Sequence, residues 1–146
     1  MANQDNTDDE PYYILVDFNG TLAKHDKGAK VIDDQGNPIM GEPIQKMVER
    51  VKQRLASGLR VKIQCGTVGA GGPKGEKMAA AIRQWTLEHL GQELEATGTI
   101  TPRCIEVWND KAKAVVRNTG RFVGEEEEGP QRVWKDGAWV LEEPPK

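Results

Sequence analysis

The chain of 146 residues is poor in the residues that mark several large protein classes. Its two cysteines, Cys65 and Cys104, are too few for a disulfide framework, which points to a reducing compartment. Its two histidines, His25 and His89, are widely separated, so no histidine-based metal centre is expected. No apolar run approaches the length needed to cross a bilayer. The opening residues MANQDNTDDEP have neither the basic start nor the apolar centre of a secretory leader. The expectation is a cytoplasmic protein with no membrane association. Basic residues are not in excess either: 20 Lys and Arg against 23 Asp and Glu give a net charge of −3 and no strong nucleic-acid signal.

Familiar phosphate-binding loops are missing too. Gly69 to Lys77 reads GAGGPKGEK, which holds no Gly-Lys-Ser/Thr and so is no P-loop. Lys74 occupies the place of the third glycine in the dinucleotide-binding pattern. The stretch reads as a flexible loop. It leads into a helix N-terminus, where Lys74 and Lys77 could help an anion, but solvated surface lysines are the better reading.

What is present is a run of strands alternating with helices, the pattern of a parallel sheet with packed helices. Tyr13–Asp17 reads as a first strand. Ala23 to Gly41, with the apolar pairs Val31-Ile32 and Ile39-Met40, reads as a loop or small hairpin turning at DDQGN. Pro43 opens a helix, with Ile44, Met47, Val48, Val51 and Leu55 at spacings of three and four and Gly58 as its stop. Leu59–Cys65 alternates strictly: Leu59, Val61, Ile63 and Cys65 on one face, Arg60, Lys62 and Gln64 on the other. That suggests an edge strand or a salt-bridged face. Lys74–Leu90 reads as a second helix, Ile105–Trp108 as a third strand and Lys111–Val116 as a short helix. Trp85 and Trp108 read as core. Asp136-Gly137, set between two Val/Trp pairs, is a hairpin signal. The expected organisation is a disordered tail over 1–11, an α/β domain over 12–124, and an acidic linker with a β-hairpin over 125–146. Exposed Trp134 and Trp139 on that hairpin would suit homo-oligomerisation.

Open parallel sheets bind ligands beyond the carboxyl ends of their strands. Asp17, Cys65 and the pair Asn109-Asp110 all fall at such ends. Each has an ordinary structural reading alone: an acid after a strand caps turns, and a cysteine is a small buried hydrophobe.

Those residues also carry a resemblance. ILVDFNGTL, Ile14 to Leu22, resembles the first motif of the haloacid dehalogenase-like (HAD) superfamily, in which a strand ends in Asp, any residue, Asp, Gly, Thr. VKIQCGTV is similar to the second motif and IEVWNDKA to the acidic fourth, and the intervening helices resemble those of small capless members, often of phage or prophage type. The resemblance spans about Tyr12 to Gly120. It implies a three-layer Rossmann-like α/β fold and a phosphohydrolase site. There Asp17 would be the nucleophile, backbone N–H groups of Phe18, Asn19, Gly20 and Thr21 would cradle phosphoryl oxygens, and Gly66 and Thr67 would border the phosphate. Mg²⁺ would be held by Asp17, the Asn19 carbonyl and Asp110.

The departures from the family pattern matter most. Asn19 stands where phosphatases carry the acid that protonates the leaving oxygen. Cys65 stands where they carry Thr or Ser, with Thr67 two residues on. No lysine matches the third motif; Arg103 and Lys111 are the nearest cations. Asn109 replaces one acid of the fourth motif. Losing a general acid/base costs about 10²- to 10⁴-fold in rate. The implied function is binding of a phosphorylated small molecule or nucleotide with impaired or lost hydrolysis. The alternatives are an active Mg²⁺-dependent phosphatase and a non-catalytic scaffold.

Overall fold

Four successive residues, Tyr13 to Val16, are fully buried, which a strand achieves only with neighbours on both sides and cover on both faces. The computed structural model describes residues 10–124 and 131–142. In it Tyr13–Asp17 (β1) lies between Arg60–Gln64 (β2) and Cys104–Trp108 (β4), while Ala96–Thr97 (β3) extends the sheet beyond β2. The order is β3-β2-β1-β4 and every pairing is parallel. The helices are Gln45–Ala56 (α1), the short Gly66–Ala70 (α2) and Gly72–Leu90 (α3). The chain divides into two compact units at Asp110–Lys111, ahead of the acidic run that marked a boundary in the sequence. The tail over 1–9 and the acidic run at Glu125–Glu128 lie outside the described residues.

The core joins Ile14, Val16, Val61, Ile63 and Cys65 of the sheet layer to Val48 and Val51 of α1 and Met78, Ile82 and Trp85 of α3. Both long helices therefore cover the same face. The steps β1–α1–β2 and β2–α3–β3 run in one direction across the sheet, and right-handed crossovers then place both helices on one side. A third layer would need a helix in the return from β3 to β4, which consists of the turn residues 98–103. Among residues 10–110 the expected three layers are thus two.

The other face holds a polar cluster. Lys62, nearly buried, pairs with Glu10 and lies 3.5 Å from Glu95, and its ammonium sits 4.4 Å from the Tyr13 ring centre. The Thr101 hydroxyl donates to Glu10 at 3.0 Å. Of the two readings of the alternating strand, the salt-bridged face holds and the edge position does not, because β2 runs between β1 and β3. Burial works against the Lys62 charge, but the Glu10 hydrogen bond and the nearby carboxylates outweigh it, so its pKa is raised. The Lys62 hydrogen bond holds the Glu10 carboxyl below its ordinary range. A lowered folded-state carboxyl pKa stabilises the fold above the unfolded value and loses that contribution as pH falls through the folded one. Thermal melts should therefore show stability declining below about pH 4.3, and Glu10→Gln should lose less than wild type over that acid interval. An unchanged acid profile in Glu10→Gln would count against the pair.

Other expectations need correcting. The glycine-rich stretch after β2 is largely helical rather than a loop: α2 and α3 meet at Gly71, whose φ of 74° suits glycine. A Cβ on Gly98 would stand 2.2 Å from the Gly69 Cα, so α2 is seated against the end of β3 by two glycines in contact. Pro43 precedes α1 and bridges to Ala23, with Ile44 at the cap. Trp85 is buried, but Trp108 is only half-buried.

In the second unit the expected helix over 111–116 is absent. Val115 bridges to Phe122 around a turn at Asn118, whose φ is 63°, because β-branched Val115-Val116 suits extended pairing. Gln131–Lys135 (β5) and Ala138–Glu142 (β6) form the expected antiparallel hairpin, closed by Asp136 and Gly137 at φ of 48° and 80°. Trp134 and Trp139 face each other edge to face at 5.4 Å and are exposed. Among the described residues no helix is long and apolar enough to cross a membrane.

Candidate functional site

Parallel neighbours deliver their carboxyl ends to one side, and here the register specifies what arrives. The last β1–β4 pair is Val16 with Trp108, so Asp17 and Asn109-Asp110 leave adjacent strands at the same end. The following loop is pinned by its one large apolar residue. Phe18 is fully buried and meets Trp85 edge to face at 5.0 Å. The Trp85 indole N–H in turn donates to the Gly41 carbonyl at 2.9 Å, tying the 24–42 excursion to α3. The Phe18 carbonyl accepts from Leu22 and Ala23 at 3.0 and 2.9 Å, closing a tight turn that requires φ of 89° at Gly20.

Gly20 is needed for a second reason. A Cβ there would lie 2.8 Å from a carboxylate oxygen of Asp110. Any side chain at position 20 would displace that acid, so the glycine is what lets Asp110 close over the β1 loop. Thr21, nearly buried, completes the link: its hydroxyl accepts the Asp110 N–H at 3.1 Å. The two strand tips are thereby joined through main chain, side chain and close approach.

The backbone cradle is narrower than the motif implied. Phe18 N–H donates to Gln64 at 3.0 Å, Gly20 N–H to Ala23 at 2.8 Å and Thr21 N–H to Phe18 at 3.4 Å. Of the four amides, only that of Asn19 has no backbone acceptor among the described residues. The Asn19 carbonyl likewise receives no backbone N–H among them. Asp17, Asp110 and that carbonyl are hard oxygen donors of the kind magnesium takes, with water filling its remaining positions. Among the described residues no cluster of three or more His, Cys, Asp or Glu exists, so a cation here would rest on two carboxylates and backbone oxygen. On that donor chemistry the residues fit the ion.

Comparison with family models, with curated proteins and with solved structures finds no match to this chain. Its own geometry therefore carries the functional reading.

The second-motif positions are arranged differently from the sequence reading. Cys65 is buried in the helix-side core, where it acts as a small hydrophobe, and its main chain is held by Thr97 and Gly69 at 3.0 and 3.1 Å. Gln64 is the residue registered with Asp17. Its side-chain oxygen is buried with no hydrogen-bond partner among the described residues, a costly state for an amide. Strict alternation already placed Gln64 opposite to Cys65, so the signal was present: strand parity puts Gln64, not Cys65, on the face shared with Asp17. Gly66 and Thr67 form the first turn of α2, Gly66 exposed and Thr67 half-buried. Arg103 sits at the opposite end of the sheet, its guanidinium 4.8 Å from the Tyr12 ring centre, so it does not replace the missing lysine. His25 is a half-buried loop residue, and His89 packs on Trp85 at 4.5 Å.

A groove of about 730 Å³ opens beside the tips. It runs from Gly20, Thr21 and Asp110 along one side of α1 as far as Arg54, with Trp108 in its wall. No sequence signal marks it, because it lies between the polar edge of a helix and a strand distant in the chain.

Proposed function

We propose that the chain binds a phosphorylated ligand, a nucleotide or another phosphomonoester, together with Mg²⁺ at the tips of β1 and β4, and that its capacity to hydrolyse that ligand is impaired or lost. The observation that carries this reading is that β1 and β4 end side by side, Asp17 on one tip and Asp110 on the other, with Asp110 closed against Gly20 and bonded to Thr21 in the loop that follows Asp17. Two carboxylates brought to one strand end repel a phosphate unless a cation stands with them, and a bound Mg²⁺ would supply that neutralisation. The HAD resemblance supports the same assignment and makes Asp17 the nucleophile of the ancestral reaction.

Asn19 explains the impaired turnover. Its amide neither gives a proton to a leaving oxygen nor takes one from water, while removing one negative charge beside a bound phosphate. At close range and an intermediate dielectric a single charge is worth a few kcal/mol. Cys65, turned into the core, supplies no hydroxyl to a phosphoryl group.

The test is to incubate the protein with phosphomonoesters and nucleotides plus Mg²⁺, reading released phosphate and melting temperature together. The expected result is ligand- and Mg²⁺-dependent stabilisation with little or no release. Efficient release would favour an active phosphatase instead, and neither effect would remove both readings.

A further inference from the structure

The groove beside the tips contains two cations that the phosphate reading does not use. Arg50 and Arg54 lie one turn apart on α1 and both line it. Like charges at that spacing disfavour a helix, and neither guanidinium is within salt-bridge distance of a carboxylate among the described residues. Each makes one contact with another residue of the groove wall. The Arg54 guanidinium lies 5.5 Å from the Trp108 ring centre, a cation–π contact that uses no N–H hydrogen bond and leaves those donors for a ligand. Arg50 donates to the Met47 sulfur at 3.9 Å. The groove thus has an acidic end at Asp110 and a basic wall one helix turn long.

We infer that the ligand carries a second anionic group, a phosphate or a carboxylate, which Arg50 and Arg54 bind while its phosphoryl group lies at the strand tips. This rests on the reading of the tips as a phosphoryl site and adds the substrate class: a phosphomonoester with a further anion, rather than a singly phosphorylated neutral alcohol. Paired guanidinium groups suit planar carboxylate or phosphate oxygens, and an anion there removes the mutual repulsion of the pair.

The experiment measures Mg²⁺-dependent binding by calorimetry for two matched pairs. AMP is compared with adenosine 3′,5′-bisphosphate, and glycerol 3-phosphate with 3-phosphoglycerate, which separates phosphate from carboxylate as the second group. The expected result is that at least one doubly anionic ligand binds about tenfold or more tightly than its partner. That advantage disappears in Arg50→Gln/Arg54→Gln while the singly anionic ligands keep their affinity, and Arg50→Lys/Arg54→Lys recovers part of it. Equal affinities within both pairs, or an advantage that survives in the Gln variant, would overturn the inference and leave the phosphoryl site standing. Failure of all four ligands to bind wild type would overturn both.

Discussion

Replacing Asp110 with alanine should lower Mg²⁺-dependent affinity for a phosphorylated ligand by at least about a hundredfold, since residues merely supporting a metal ligand already cost 10- to 100-fold when lost. The fold should survive the change. Asp110 is exposed, its N–H bond to Thr21 is made by the main chain and remains available, and no core side chain depends on its carboxylate. The melting temperature without ligand should therefore stay close to wild type, while the shift on adding phosphate and Mg²⁺ collapses. Gly20→Ala should act in the same direction by a different route. It forces a Cβ to 2.8 Å from the Asp110 carboxylate and strains a backbone at φ of 89°, so it should lose ligand binding and some stability together. Calorimetry of the two variants beside melts without ligand separates the effects.

The second large effect runs the other way. Asn19→Asp introduces a group able to carry a proton into the loop that follows Asp17, and general acid/base groups contribute about 10²- to 10⁴-fold. Release of phosphate from a generic aryl phosphate in the presence of Mg²⁺ should rise by about a hundredfold or more, and Asp17→Asn in the same background should remove the gain. The added charge should weaken binding of unreacted phosphate ligands. Adding Asn109→Asp should raise turnover further if the frame still supports catalysis. No gain from either substitution would place the limit on turnover elsewhere: Cys65 lies in the core, and Arg103 is stacked on Tyr12 at the far end of the sheet.

Much of this arrangement was legible in the chain. The spacing of Val48 and Val51 announced α1, the apolar run to Val16 announced a strand, and Asp-Gly announced the hairpin turn. The site at the strand tips followed from those elements, because parallel strands send their carboxyl ends to one side. What escaped depended on contacts distant in sequence. A two-residue strand such as β3 has no periodicity to read. Gly66–Ala70 is helical despite low glycine propensity because Gly98 admits it at van der Waals contact. Lys111–Val116 had a helix-like composition, but the bridge of Val115 to Phe122 decided its conformation. The number of layers depended on the return from β3 to β4, which a list of elements does not specify. Arg50 and Arg54 fall outside the apolar stripe of α1, and only the placement of Trp108 gives them a groove to share.

The parity of β2 is a case where the information was in the sequence and motif matching overrode it. Alternation placed Lys62 and Gln64 together, and burial of Val61, Ile63 and Cys65 shows that alternation holds to the end of the strand. Gln64, registered with Asp17, carries the buried side-chain oxygen, whereas Cys65 contributes to the core.

One divalent cation should be shared between the tips of β1 and β4. Titrating Mn²⁺ as a paramagnetic stand-in for Mg²⁺, with free ion followed by electron paramagnetic resonance in the presence of inorganic phosphate, tests it most directly. About one ion should bind per chain, and binding should be lost both in Asp17→Asn and in Asp110→Asn, because no further carboxylate among the described residues stands ready to replace either one. Wild-type binding in either variant, or none in the parent protein, would contradict it.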